Sequence, residues 1–87
     1  MAYLFGQVAM QKSQHNRKYR RLLDLLRQKR EGAGLTQTDV SSRLGAYSTF
    51  MTKVESGERR IDVVELSEIC SLYGVKLHAF LKSAGIE

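Results

Sequence analysis

Residues 35–57 read LTQTDVSSRLGAYSTFMTKVESG, and this stretch decides the fold. Its apolar residues fall into two pairs, Val40 with Leu44 and Met51 with Val54, each at a three- or four-residue step. That step places the members of each pair on one face of a helix. Gly45 lies between the pairs and can take the positive φ that ends a helix without a Cβ clash. The stretch therefore predicts two short helices that share a core across a tight turn.

The flanking sequence continues the helical pattern on both sides. The chain has no proline, and beyond the first ten residues it lacks strong strand-like alternation, which favours an all-α fold. Thr36 can cap the second helix, and Asp62 and Glu65 have the spacing of a capping box. The predicted organisation is an arm at residues 1–15 and a helical domain at residues 16–87, with helices at Arg17–Glu31, from Thr36, within Ser48–Ser56, at Asp62–Tyr73 and at Leu77–Ser83.

Positive charge is concentrated in the first part of the chain. Residues 1–34 carry eight Lys and Arg against two acidic side chains, whereas the remainder carries six basic and seven acidic ones. A basic first helix suits an anionic polymer, because neutralised phosphates release their counterions. The same pattern is also typical of a solvated helix face or of a contact with an acidic protein. A membrane surface is disfavoured, since the apolar face of this helix is needed for the core.

An ordered set of short motifs narrows the class of helical protein to which the chain can be compared. The motifs are Leu35-Thr36-Gln37, Leu44-Gly45, the run from Lys53 to Arg60, Glu65-Leu66 and Leu72-Tyr73-Gly74-Val75. At these spacings the chain closely resembles the Cro and phage-repressor type of helix-turn-helix protein, also called the XRE family, over roughly residues 17–83. The resemblance implies a compact, lambda-repressor-like domain of five helices. It also implies a transcription regulator, with repression as the expected mode, that binds an operator in double-stranded DNA.

The resemblance places several side chains toward the major groove. Ser48, Thr49, Thr52 and Lys53 match positions of the reading helix that usually face bases. A hydroxyl can donate to or accept from several base edges, and Lys53 can reach guanine or a phosphate. Many family members have a long amide where this chain has Ser48, which argues against adenine readout there. Tyr47, at the tip of the turn, fits equally a contact with sugar or a thymine methyl and a cover over the core.

A second group of residues is expected to hold the phosphate backbone. Gln37 lies in the first turn of the second helix, where backbone N–H groups lack helical partners, and it matches the phosphate-binding glutamine of the family. Arg43 lies near the end of that helix, and Arg59 and Arg60 follow the third helix in a loop that relatives set against the backbone. Each arginine taken alone fits solvent exposure equally well. Jointly they are predicted to form a rim around the reading helix.

Arg30 and Glu55 match a structural ion pair of the family rather than a DNA contact. An arginine near the end of the first helix often pairs there with the glutamate at the end of the reading helix. A bidentate guanidinium–carboxylate pair would hold the reading helix in orientation. Loss of one partner of a largely buried pair is expected to cost ~3 kcal/mol or more.

The small size of the chain predicts association. An 87-residue domain buries a limited core, so a homodimer is expected to add buried surface. Two reading helices would then meet successive major grooves ~34 Å apart on a near-palindromic operator. The apolar residues available for the contact are, by preference, the C-terminal Phe80, Leu81 and Ile86, or else Tyr3, Leu4 and Phe5 of the arm. The alternative on the same fold is an antitoxin or another module whose main partner is a protein, such as a toxin or a regulatory subunit.

Enzymatic, metal and membrane functions find little support in the sequence. His15, His78 and Cys70 are scattered, no Cys/His spacing makes a zinc site, and no glycine loop is built to cradle a phosphate. We therefore expect no catalysis, cofactor or metal, and a packed thiol at Cys70. A single cysteine fits a reducing cytoplasm. Because no stretch has the ~20 apolar residues of a membrane span or the pattern of a signal peptide, a cytoplasmic location is expected.

Overall fold

A computed structural model describes residues 12–86 of the protein, with side chains from Arg17 onward. Within that range the chain forms five helices and no strand. The helices are α1 (Lys12–Gly32), α2 (Gln37–Arg43), α3 (Phe50–Ser56), α4 (Val63–Leu72) and α5 (Leu77–Ser83). The prediction of an all-α domain of five helices is confirmed.

The first helix begins earlier than the sequence suggested. It starts at Lys12, so the predicted start at Arg17 was wrong and the last residues assigned to the arm are helical. Lys, Gln and Ser tolerate a helix interior, and no glycine or proline interrupts the polar run at residues 12–16, so the helix extends by one hydrogen bond per added residue. The remainder of the predicted arm lies outside the described residues.

Local capping fixes where α2 and α4 begin. The Thr36 hydroxyl accepts from the Asp39 backbone N–H at 3.0 Å, and the Asp39 carboxylate accepts from the Thr36 N–H at 2.9 Å. Asp62 and Glu65 repeat this reciprocal arrangement at the start of α4. Each box satisfies backbone donors that the first turn of a helix leaves unpaired. Both starts agree with the sequence prediction, because the signals lie within three residues of each other.

The turn between α2 and α3 is fixed by one glycine and one buried hydroxyl. Gly45 has a φ of 70°, in the left-handed region that a residue with a Cβ rarely adopts. The Ala46 N–H donates back to the Ser41 carbonyl at 2.9 Å, which closes the end of α2. Ser41 is fully buried, and its Oγ accepts from the Met51 N–H at 3.0 Å. Ser41 is thus a small, fully buried residue of α2 that ties this helix to the first turn of α3.

All five helices contribute to one core. The helices α2 and α1 pack on α3, and α4 packs on α5. The buried apolar residues are Leu22, Leu23, Leu26, Val40, Phe50, Met51, Val54, Leu66, Ile69, Cys70, Tyr73, Phe80 and Ala84. Burial raises the pKa of the Cys70 thiol, as expected of a packed rather than a reactive cysteine.

The apolar face of the C-terminal helix α5 packs into the chain's own core, whereas a dimer contact was predicted for it. Phe80 is only 2% exposed and lies in the core, so its assignment to a dimer contact was wrong. Leu81 and Ile86 are half-buried and pack against the same core. Amphipathic spacing identified the apolar face of α5 correctly but could not say whether that face meets the chain's own core or a second molecule.

Candidate nucleic-acid interface

The third helix turns one face into the core and the opposite face to solvent. Phe50, Met51 and Val54 are buried, whereas Thr52 is exposed and Lys53 is half-buried. Because residues three and four apart share a face of a helix, the buried residues anchor α3 while Thr52 lies on the outside. The side chain at position 52 is therefore presented to solvent from a helix whose other face is fixed.

Two predicted base-contacting residues precede this helix instead of lying in it. Ser48 and Thr49 are exposed in the turn before α3, and α3 begins at Phe50. The helix therefore lies within the predicted limits Ser48–Ser56, and its start is at Phe50. Thr49 occupies the N-cap position with φ −96° and ψ 11°, and its side chain makes no capping hydrogen bond. The Thr49 hydroxyl therefore makes no hydrogen bond to the first turn of α3.

A hydrogen-bonded network joins α1, α2 and α3 at the base of this face. Arg30 Nε donates to Glu55 Oε2 at 2.7 Å, and Arg30 Nη2 donates to Glu55 Oε1 at 3.2 Å. Gln37 Nε2 donates to Glu55 Oε1 at 2.9 Å. The Thr52 hydroxyl donates to Gln37 Oε1 at 2.9 Å. The network runs from a buried ion pair to the exposed face of α3, and it brings together two residues expected to contact DNA, Gln37 and Thr52.

The Arg30–Glu55 pair is removed from solvent. The Arg30 side chain is 11% exposed and that of Glu55 is 5% exposed. The hydrogen bond that Arg30 donates to Glu55 is the main cause of the raised pKa of Arg30, while desolvation opposes it. Arg30 Nη1 also donates to the Leu35 carbonyl at 2.9 Å, so the guanidinium ties the loop before α2 as well. The pair fixes how α3 sits relative to α1.

Tyr47 and Lys53 form a second cluster at the other side of the turn. Tyr47 is 51% exposed, and its ring meets Phe50 edge-on with centroids 5.8 Å apart. Lys53 Nζ lies 5.8 Å from the centroid of the Tyr47 ring. The tyrosine thus packs on a core residue with one edge and leaves half its surface in solvent beside an ammonium group.

Arg59 has an internal partner that the sequence analysis missed. Its Nη1 and Nη2 each donate to one oxygen of Glu65 at 2.9 Å, and its guanidinium lies 4.7 Å from the Phe50 ring centroid. This bidentate contact is the largest effect on both partners, raising the pKa of Arg59 and lowering that of Glu65. The capping-box spacing indicates Glu65 only as a helix cap. In the structure its carboxylate accepts both from the Asp62 N–H and from Arg59.

Arg60 and Arg43, the other two arginines of the predicted rim, differ in their surroundings. The Arg60 guanidinium stacks 4.5 Å from the Tyr19 ring centroid, and the Tyr19 hydroxyl accepts from the Ile61 N–H at 3.2 Å. Tyr19 therefore holds the loop after α3 against α1, a role that no sequence signal indicated. Arg43 is exposed in the last turn of α2. Arg60 is thus stacked on a ring, whereas Arg43 lies in solvent.

The part of the chain that the structure describes offers neither a metal-binding cluster nor a membrane-spanning helix. Residues 17–86, whose side chains the structure describes, hold no group of three or more His, Cys, Asp or Glu that could bind a metal ion. None of the helices at residues 12–86 is both long and apolar enough to cross a bilayer.

Comparisons with known proteins agree with this geometry. Residues 21–80 match the family described as a helix-turn-helix domain. A solved structure of an XRE-family like protein from Pseudomonas syringae pv. tomato str. DC3000 is similar to this chain, with a TM-score of 0.80 and 40% sequence identity over 85% of this chain and 90% of that one.

A curated relative is similar over a shorter stretch. The glutamine–fructose-6-phosphate aminotransferase (isomerizing) of Methanocaldococcus jannaschii is 35% identical over 57 residues, or 64% of this chain. The chain spans 5% of the length of that relative, so the similarity concerns one small segment of the larger protein.

Two helices joined by a short glycine-containing turn, with the second helix presenting one face to solvent, define the helix-turn-helix class. The chain belongs to the helix-turn-helix domain family and is of the XRE type, a class of DNA-binding transcription regulators. The resemblance inferred from the sequence motifs is confirmed.

Proposed function

We propose that this chain represses transcription by binding an operator in double-stranded DNA through the outer face of α3. The observation that carries the proposal is the exposed group of hydroxyls and one ammonium on a rigid support. Thr49 and Thr52 are exposed beside Lys53, while buried contacts from Ser41 and Arg30 hold the backbone that carries them. Hydroxyl and ammonium groups are suited to base edges and phosphates in the major groove.

Phosphate contacts fix the register of the protein on the duplex. The Gln37 amide nitrogen has two hydrogens, of which one goes to Glu55, so the second is left for a phosphate oxygen. Arg43, in the last turn of α2, and Arg60, in the loop after α3, are exposed and supply charge to the same backbone. Arg59 is the weakest member of this group, because Glu65 already accepts from both of its terminal nitrogens. Contacts of this kind set affinity and orientation more than sequence preference.

The test is selection of bound sequences from random duplexes at a stated salt concentration, followed by affinity measurements on the winning site. The double variant Thr49→Ala, Lys53→Ala is expected to lose ~1–3 kcal/mol of binding free energy per good base contact, with unchanged helical content. The matched control is Lys82→Ala, an exposed lysine on α5 that should leave affinity intact. Unaltered affinity of the double variant would contradict the assigned face.

A separate variant tests the anchoring role of Gln37. Gln37→Ala is expected to weaken binding to the selected site and to unrelated duplexes alike, because a phosphate contact is common to both. A loss confined to one base position of the selected site would contradict that role.

The chain acts on this operator as a homodimer, so that two α3 helices reach successive major grooves ~34 Å apart on a near-palindromic site. Of the C-terminal set, Leu81 and Ile86 remain for the contact after Phe80 is assigned to the core. The alternative set, Tyr3, Leu4 and Phe5 of the predicted arm, lies outside the described residues. Sedimentation of the free protein and of its DNA complex tests this. Ile86→Asp should yield monomers, and a single chain per operator at micromolar concentration would refute the dimer.

One observation favours a second candidate, a module that binds another protein. Val63 and Val64 begin α4 and are 62% and 64% exposed, an unusual apolar surface for adjacent residues. An antitoxin or a small regulatory subunit would use such a surface for its partner. Val64→Asp is the discriminating variant, because it should abolish association with a co-expressed partner chain while DNA affinity persists. Loss of DNA affinity alone would argue against a partner at this surface.

A further inference from the structure

The network below the exposed face of α3 has a fixed direction. A guanidinium can only donate hydrogen bonds and an ionised carboxylate can only accept them, so the Arg30–Glu55 contact determines what Glu55 presents to its next neighbour. Glu55 Oε1 therefore has to meet the amide nitrogen of Gln37, as it does at 2.9 Å. The reverse amide orientation would set a carbonyl oxygen against a carboxylate oxygen.

The same reasoning fixes the Thr52 hydroxyl. With its nitrogen on Glu55, Gln37 presents its carbonyl oxygen to Thr52 at 2.9 Å. That oxygen cannot donate, so the one hydroxyl proton of Thr52 must lie in this bond. Thr52 is exposed, and toward solvent its oxygen offers lone pairs only. A threonine that in general reads donors or acceptors is here restricted to accepting.

We infer that Thr52 acts as an acceptor-only reader and selects adenine or cytosine at the base position that it faces. In the major groove the donors on the bases are the exocyclic amines of adenine and cytosine, whereas guanine presents acceptors and thymine an acceptor and a methyl group. The inference rests on the proposed DNA-binding function and adds the base class read at one position. Gln37 is then a positioning residue for specificity in addition to a phosphate anchor.

Thr49 provides the matched comparison within the same surface. Its hydroxyl makes no capping bond and is exposed, so its proton is not directed by the network. Thr49 is free to donate to or accept from a base. The four-base preference at its position should therefore be unrelated to the state of Gln37.

The experiment measures affinity for the selected operator with all four base pairs at each position, at one salt concentration. Thr52→Val keeps the shape of the side chain and removes its hydroxyl. The operator base pair at which this variant changes the base preference is the one that Thr52 faces. There the unaltered protein should favour adenine or cytosine by ~3- to 10-fold, the value of one hydrogen bond. An analogue of the preferred base that lacks the exocyclic amine should lose the same factor with the unaltered protein.

Gln37→Leu separates this account from a simple contact by Thr52. It should weaken binding to every duplex, and at the Thr52 position it should also bring guanine and thymine to within about twofold of the preferred base, because the hydroxyl proton is then free to donate. Thr49→Val should leave that position unchanged. Thermal unfolding of each variant checks that it folds, and the amine-lacking analogue tests the inference without any variant.

The outcomes distinguish this inference from the function on which it rests. A guanine or thymine preference at the Thr52 position, or a preference untouched by Gln37→Leu, overturns the acceptor-only reading while specific binding stands. Thr52→Val with no effect at any position overturns it as well. Absence of any duplex preference in the unaltered protein instead contradicts the proposed function, and the inference fails with it.

Discussion

At the scale of single residues, Arg30 holds α1 to the neighbouring elements of the domain. Its guanidinium contacts Glu55 on α3 and the Leu35 carbonyl before α2, so one side chain connects three helices. A charge placed in this environment is tolerated only because its hydrogen-bonding capacity is met. Orientation of the reading helix therefore depends on a residue that need not touch DNA.

We predict that Glu55→Ala lowers the free energy of unfolding by about 3–5 kcal/mol, because it leaves the largely buried Arg30 without its partner. Urea unfolding followed by circular dichroism measures the loss. The comparison variant is Glu65→Ala, whose arginine is more exposed, and its loss should be clearly smaller. Equal losses in the two variants would show that burial of the Arg30 pair is not the cause.

Glu65 predicts a pH dependence of known sign. Arg59 chiefly, and the Asp62 N–H in addition, hold the pKa of Glu65 below its ordinary value of 4.5. A carboxyl group with a depressed pKa in the folded state stabilises the protein above its unfolded pKa, and this contribution is lost as the pH falls through the folded pKa. The difference in unfolding free energy between the protein and Glu65→Gln should be constant near pH 7 and shrink below about pH 4.5. If the difference in unfolding free energy grew on acidification, the pKa of Glu65 could not be depressed in the folded protein.

At the scale of elements, the turn between α2 and α3 depends on backbone conformation more than on contacts. An added Cβ at Gly45 would meet nothing within 4 Å, but the φ of 70° is strained for any residue with a side chain. We predict that Gly45→Ala costs ~1–2 kcal/mol of stability.

Gly32 supplies the control for that prediction. It ends α1, has no positive φ, and also has open space around an added Cβ. Gly32→Ala should therefore be neutral or stabilise the protein by up to ~1 kcal/mol. Thermal unfolding of the two variants compares them directly, and the same sign of change in both would contradict the conformational explanation.

Element boundaries were predictable where the signal is local. The Asp62–Glu65 box was recognisable because both partners lie within one helical turn. The start of α3 was not, since Thr49 forms no side-chain cap and Phe50 carries no signal of its own. The start of α1 was missed because a polar run without glycine or proline fits a helix and an arm equally well.

At the scale of the whole molecule, the sequence could place functional residues near α3 but not their tertiary partners. The family resemblance implied a pair between Arg30 and Glu55, and these residues do meet. No family pairing indicated the contact of Arg59 with Glu65, or that Gln37 bonds to both Glu55 and Thr52, and contacts between separate elements leave no local sequence signal. Phe80 illustrates the same limit, since its burial depends on how α5 packs onto α4.

The most direct test of the account is a map of backbone amide NMR shifts when the selected duplex is titrated into the protein. The proposal predicts that the large shifts fall on residues 46–53 and on Gln37, with few in α5. The pattern should persist at higher salt with weaker affinity, because the phosphate contribution falls while the contact surface stays the same. Shifts concentrated at Val63 and Val64, with α3 unaffected, would contradict the assignment of α3 as the DNA-reading helix.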